Sequence, residues 1–563
     1  MEQSLDFITK GLVAKAVISF DARSTNNLFA TKSYRKFVQV IDPNTNAASF
    51  RKYNADENTP LDLSGSAFFT TLSNLQGYLN YNRNFGKHSV TGLVLYQQQK
   101  NIVDAQLPFN LRGVATRVTY AFDSKYLLEF NAGYNGSEQF IKGKRFGFFP
   151  AASAGWVISN EDFLKNNSVI SLLKLRGSFG KVGNDRIGNS RFLYIDDITV
   201  ANGGGYSNSL GLGQTIITNR LKNVDLQWEV STKANIGLEI GLFNALNLTV
   251  DVFTENRDNI LRRRGTIPNL NGLPISAIPP VNIGVVENKG FEAELNYKKF
   301  INKDFSILAR ANVGFARNKQ TFADEPLLPS SFAYQYRQTG YRIGQPFGYI
   351  VDRFFTSTQD ISSSPVQNVG AHESRPGDLK FKDLNGDGKV DDKDQGPIGY
   401  ANIPEYQFGG ALSVNYKNFD ISALIQGVSN IYNLYAGAGT FEGTNYYSQH
   451  LESWTQERVD QGLPINFPRL TTQVSPNHNY NSYFVIDASY IRLKNAEIGY
   501  TLPVRWANKV GSKNIRFYFN GLNLLTWDKL PTKNFDPELT LSGRGQFTYP
   551  ITRVYNLGVN VTF

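Results

Sequence analysis

The chain has 563 residues, a formal net charge of +10 and no cysteine, which excludes disulfides and Cys-ligated metals. Mean hydropathy is −0.32. No apolar run reaches the roughly 18 residues that a spanning helix needs, so transmembrane helices are not expected; barrel strands, which average near neutral, are not excluded. The one basic run, Arg262–Arg264, falls in a predicted loop, and dispersed charge argues against nucleic acid as a partner. Aromatic residues make up 13% of the chain, with many Gly and Asn, the composition of β structure with frequent turns.

In chain order, Met1–Lys10 lacks a basic segment followed by an apolar one, so no signal peptide is read there. Lys10–Phe20 is the first strand candidate, expected to run from the long-loop end to the short-turn end. Gly183–Ser190 has glycine spacing distantly like a phosphate loop, but Asn189 stands where the lysine belongs, and the segment reads as a strand end and loop. Alternation is clear in Ala234, Ile236, Leu238 and Ile240 against Lys233, Asn235, Gly237 and Glu239. It returns at Leu246–Val252, Phe291–Tyr297 and Phe305–Phe315. The final strand sets Tyr555, Leu557, Val559, Val561 and Phe563 against Asn556, Gly558, Asn560 and Thr562. Period-2 patterning gives each strand one apolar and one polar face. A sandwich needs its inner face dry, whereas charges at every second position fit a water-filled lumen.

Connections alternate in length. Short ones are predicted near Phe85–Gly86, Asp123–Ser124, Gly241–Ala245, Phe300–Asp304 and Lys417–Phe419. Long ones cover 42–66, 184–230, 257–285, 318–404, 431–488 and 525–552. Short turns at one end and long loops at the other are the asymmetry of outer-membrane barrels. The fold expected is all-β, a transmembrane antiparallel β-barrel in part, with about seventeen strands where single-chain barrels use an even number.

Several segments carry a family resemblance: YAFDSKYLLEFNAGYNGSEQF (Tyr120–Phe140), RFGFFPAASAGWVISNEDF (Arg145–Phe163) and LLKLRGSFGKVGND (Leu172–Asp185). FKDLNGDGKVDDKDQGPIG (Phe381–Gly399) and YIRLKNAEIGYTLP (Tyr490–Pro503) continue it. Together they resemble SusC/RagA-type TonB-dependent outer-membrane transporters. The resemblance implies a 22-stranded barrel, of which residues 1–563 would be the C-terminal portion, with plug domain and signal peptide outside it. It also implies a TonB contact through a missing N-terminal part, a SusD-like surface lipoprotein as partner, and import of glycans or peptides. Alternatives are a surface receptor or adhesin, a passive porin-like channel, a barrel enzyme, or a non-functional gene fragment.

One motif has chemistry of its own. Asp383, Asn385, Asp387, Lys389, Asp391 and Asp394 occupy the first, third, fifth, seventh, ninth and twelfth places of a calcium loop, with Gly388 sixth. Hard oxygen ligands around one cation would give a structural Ca2+ site within loop 318–404; Asp394 replaces the usual glutamate. Asp, Asn and Gly also dominate ordinary turns. The histidines His88, His372, His450 and His478 lack ligand spacing, and no serine sits in a nucleophile elbow, so no catalytic site is expected. Tyr334, Tyr336, Tyr446, Tyr447 and Trp454, in the predicted loops 318–404 and 431–488, are candidates for stacking on substrate. Trp156 reads as part of an interfacial aromatic girdle.

Overall fold

The computed structural model describes residues 2–53, 57–186, 191–202, 214–268, 272–334, 338–370, 372–434, 448–471, 474–533, 535–539 and 551–563. Seventeen strands belong to one antiparallel sheet. They are β1 Glu2–Ser4, β2 Leu12–Thr31, β3 Asp62–Phe85, β4 His88–Val103, β5 Phe109–Phe122, β6 Tyr126–Ser137, β7 Phe146–Val157, β8 Ile170–Asn184 and β9 Glu229–Leu242. After them come β10 Leu246–Arg262, β11 Val281–Asn302, β12 Phe305–Phe322, β13 Tyr406–Tyr416, β14 Phe419–Ser429, β15 Tyr490–Thr501, β16 Asn514–Asp528 and β17 Val554–Thr562. The chain divides into two compact units, Met1–Thr119 with Asn131–Phe148 and Tyr120–Phe130 with Phe149–Phe563.

In the first unit β1 pairs with β2, β2 with β3 and β3 with β4, all antiparallel. The β2–β3 ladder runs from Leu12 opposite Tyr81 to Thr31 opposite Asp62. Lys10–Phe20 is thus the start of a twenty-residue strand, not a strand of its own. It runs towards the long connection 32–61, opposite to the direction expected. The direction differs because a further strand, β1, precedes it, and the length differs because β3 pairs with the polar stretch Ser24–Asn27 as it does with the rest.

In the second unit each strand from β8 to β17 is antiparallel to the next, and β7 joins β8 through Ala151–Val157. The short turns fall at 243–245, 303–304 and 417–418, as the sequence predicts. Phe243 and Asn244 take positive φ (+55° and +51°) to close the first. The apolar alternation is left uncovered, Ile236 at 65% and Leu557 at 81% exposure. Such a face in water would be an aggregation site; against hydrocarbon it is the required surface.

The opposite face is charged and cross-linked between strands. Lys174 and Arg176 on β8 reach Glu239 on β9 at 3.1 and 3.0 Å. Arg176 also meets Asp251 on β10 at 2.7 Å. Arg516 on β16 pairs with Asp420 on β14 and, at 2.6 Å, with Glu497 on β15. Half-buried and open to the watery face, each pair contributes little alone, about 0–1 kcal/mol, so their importance is in setting the polarity of the face.

The dry core lies in the loops. Tyr349, Val369, Leu379, Phe381, Val390, Phe467, Phe484, Ala488 and Leu530 form one buried cluster drawn from the β12–β13, β14–β15 and β16–β17 connections. Short ribbons frame it: Phe347–Tyr349 with Gln395–Pro397, Val351–Phe354 with Leu379–Phe381, and Tyr432–Leu434 with Val485–Asp487. Phe347–Phe355, whose pattern in the sequence fits either a strand or loop structure, thus forms two short strands inside the β12–β13 connection.

Candidate functional site

At the long-loop end of β9–β12 a cavity of about 950 Å3 opens on the charged face. Its walls present Glu229 and Glu255 beside Arg257, and Arg317 and Arg342 beside Glu405. Arg257 bonds Glu255 at 2.9 Å and Glu229 at 3.3 Å, with Ser231 donating to Glu255 at 2.6 Å. Glu405 is nearly buried and accepts both Nε and Nη2 of Arg317 at 2.8 Å. Arg342 lies 2.7 Å from the same carboxylate, and Asn430 donates to it at 2.9 Å. The fork-on-carboxylate geometry holds Arg317 rigidly while leaving its flank on the cavity.

A second hollow of about 440 Å3 shares Ala316, Pro404, Glu405 and Gln407 with the first and adds Asp251, Glu292, Glu294 and Asn312. The two form a polar path along the charged face. Some of its groups are already paired, Arg257 with Glu229 and Glu255 and Arg317 with Glu405, which suits weak, repeated contacts with a polar ligand. Alternation predicts which strand residues face this path. Glu405, preceding β13, gives no local signal and is missed by sequence reasoning.

All six calcium-type residues fall in one loop, with Gly386 and Gly388 at φ +76° and +83°. Asp383 Oδ1 accepts the Gly386 N–H at 2.7 Å and Oδ2 the Gly388 N–H at 2.8 Å. Asn385 accepts from Asp387 (2.9 Å), Asp387 from Lys389 (3.0 Å) and Asp391 from Lys393 (2.9 Å). Each carboxylate oxygen has a second lone pair, so these bonds shape the loop without exhausting its acceptors. Asp394 differs: it is fully buried and accepts from Leu384, Asn385 and Asp391 at 2.8, 3.2 and 2.9 Å. Among the described residues no three His, Asp or Glu side chains stand in ion-holding geometry.

Of the stacking candidates, Tyr336, Tyr446 and Tyr447 lie outside the described residues. Trp454 covers Gly377, where a Cβ would come within 2.5 Å of the indole, and the Trp454 backbone N–H donates to Phe467 O at 2.8 Å. Tyr334 lies against Gly396 beside the calcium-type loop. Both pack loops, and neither lines the cavity. Trp156 stacks on Tyr126 at 6.5 Å, and both donate to Glu161, at 3.0 and 2.7 Å. That carboxylate, in the β7–β8 turn, is held below the usual range by the Tyr126 and Trp156 hydrogen bonds.

Two buried polar clusters also escape sequence reasoning. Asp378, fully buried, bonds Arg469 at 2.7 Å and Asn477 at 3.0 Å, joining the two long connections. Arg492, fully buried, meets Asp536 at 2.6 Å and Glu538 at 2.7 Å. At the loop surface Arg353 and the Thr356 N–H hold the Asp360 carboxyl far below the ordinary range. Burial, with Asp392 at 3.1 Å, pushes the Tyr349 hydroxyl up to about 12.

Residues 9–524 match the family described as TonB dependent receptor-like, beta-barrel. The chain is 28% identical to TonB-dependent receptor P3 of Formosa agariphila, over 88% of the chain and 52% of that protein. It is 29% identical to TonB-dependent receptor SusC of Bacteroides thetaiotaomicron, over 79% of the chain and 43% of that protein. It thus spans about half the length of the curated relatives it matches. A solved chain described as the RagAB peptide transporter superposes with TM-score 0.73 at 21% identity, covering 98% of this chain and 60% of that one. These relatives are receptors and transporters, not enzymes. The chain belongs to the TonB-dependent receptor-like β-barrel family of the outer membrane.

Proposed function

We propose that this chain is the barrel wall and loop layer of a TonB-dependent importer that takes up glycan oligosaccharides or peptides. The observation that carries the reading is the polar path from the loop-end cavity down the charged face. It offers charged and amide donors and acceptors along its length, suiting a hydroxyl- or amide-rich oligomer that must be released again. The neighbour described as the RagAB peptide transporter lends the peptide class and the TonB-dependent relatives lend TonB, while the glycan class and a SusD-like surface lipoprotein follow from the SusC/RagA resemblance. The experiment is growth of a strain deleted for the gene on a panel of oligosaccharides and peptides, with and without a protonophore. Loss of growth on one class, mimicked by the protonophore, supports energised import. Unchanged growth on every nutrient overturns it, and loss insensitive to the protonophore favours a passive channel.

The calcium-type loop is proposed as a structural site in the same layer. Asp383, Asn385, Asp387 and the Lys389 carbonyl would supply ligands, while Asp394 shapes the loop. Support comes from their convergence in one glycine-turned loop and their unspent lone pairs. Calorimetric Ca2+ binding that is lost in Asp383→Ala/Asp387→Ala is the expected result; identical titrations would remove the site.

A further inference from the structure

At the short-turn end of the second unit, one row of residues is in register across six strands. Phe305 pairs with Tyr416, Tyr416 with Phe419, Phe419 with Tyr500, Tyr500 with Phe517, and Phe517 with Val559. Phe305 and Tyr416 rings lie 6.0 Å apart, Phe419 and Tyr500 rings 4.8 Å. Aromatic residues concentrate where hydrocarbon meets headgroups, so the row marks that boundary.

Just beyond it the turns are themselves hydrogen-bonded side by side: Lys417 N to Asp304 O at 2.6 Å, Thr501 N to Asn418 O at 2.8 Å, and Lys513 N to Thr562 O at 2.7 Å. The end of β11 carries Lys299 and the turns carry Lys303, Lys417, Arg505, Lys509 and Lys513, all exposed, with Asp304 as the opposing carboxylate. Lys417 sits 5.5 Å over the Tyr416 ring. The β15–β16 turn is a short helical segment whose Val504, Trp506 and Val510 are 63%, 50% and 64% exposed. Arg505 and Lys509 flank that indole at 5.9 and 4.7 Å. Exposed apolar side chains interleaved with unneutralised cations suit a surface that is fatty on one side and anionic on the other.

We propose that this collar binds the phosphodiester headgroups of anionic glycerophospholipid in the leaflet at the short-turn end. Trp506, Val504 and Val510 enter the interface; Lys417, Arg505, Lys509 and Lys513 engage the phosphates. The aromatic row fixes the depth at which they meet.

The test uses receptor purified from outer membranes and reconstituted in phosphatidylcholine, with spin-labelled phosphatidylglycerol or phosphatidylcholine as probe. The first-shell lipid signal should favour phosphatidylglycerol by about threefold or more at low salt and lose that preference in 1 M salt. Lys417→Gln/Arg505→Gln/Lys509→Gln/Lys513→Gln should bring the ratio close to one, with heat-modifiable gel migration confirming a folded barrel. The Lys-to-Arg counterpart should keep it. No preference in the native protein, a preference that survives salt or the four glutamines, or equal retention of lipid A would each overturn the assignment. If the glutamine variant fails to fold, the salt response of the native receptor decides.

Discussion

Arg176 and Asp251 lie on β8 and β10, which are not neighbours, yet meet at 2.7 Å. The intervening strand supplies Gly237, where a Cβ would stand 2.6 Å from the guanidinium carbon and 2.7 Å from Asp251 Oδ1. Arg516 and Asp420 repeat the arrangement across Gly499 on β15. Glycine normally weakens a strand; at these two places it opens a groove through which arginine staples three strands.

Gly237→Ala and Gly499→Ala are therefore predicted to displace the arginine and destabilise the sheet by about 1–2 kcal/mol each, despite alanine's smaller backbone entropy cost. Gly77, with nothing near its Cβ position, is the control and should tolerate alanine. Urea unfolding of the purified barrel, followed by gel mobility, measures the difference.

Asp378 and Arg469 close the loop layer, with Asn477 completing the acceptor set. Removing one partner of a buried pair strands the other, at about 3–5 kcal/mol. Arg469→Met should make the long connections sensitive to limited proteolysis while the sheet keeps its mobility on gels. Retained protease resistance would mean that the loop core does not depend on this pair.

Asp394 tests the calcium-type loop from another side. Its three backbone N–H partners would be orphaned in Asp394→Ala, with a loss of about 1–3 kcal/mol in the loop layer. The loss should appear with excess Ca2+ or with chelator, because the bonds involved are the protein's own. Hydrogen exchange at 384–394 is the measurement.

Asp360 gives the loop layer an acid limit. Its folded-state carboxyl titrates far below the unfolded one, through Arg353 first and the Thr356 N–H next. Its contribution is complete above the unfolded value, about 3.9, and is lost as pH falls below it. Loop-layer stability should drop below about pH 4, and Asp360→Asn should flatten that drop.

Legibility in the sequence followed the range of the contacts. In 234–240 and 555–563 one side chain in two is apolar, a pattern set by the pleat alone, and those strands are where expected. Short turns were readable for the same reason. The loop core was not: Tyr349, Phe381, Phe467 and Phe484 have no shared period, and only tertiary packing brings them together. Trp454 reads in the sequence as a stacking candidate because an aromatic in a loop carries no mark of what it packs on; in the structure its indole lies against Gly377. Glu405 and Asp378 are single carboxylates whose partners are distant in sequence, and spacing says nothing about them.

The most direct test of a barrel wall with lipid on one face and water on the other uses the absence of cysteine. Single cysteines placed along β10 at Val250, Thr249, Val252 and Asp251 can be labelled in native outer membranes with a water-borne maleimide and a lipid-borne one. The account predicts strict alternation, with Val250 and Val252 labelled from lipid and Thr249 and Asp251 from water. Equal labelling of adjacent positions by either reagent would contradict it.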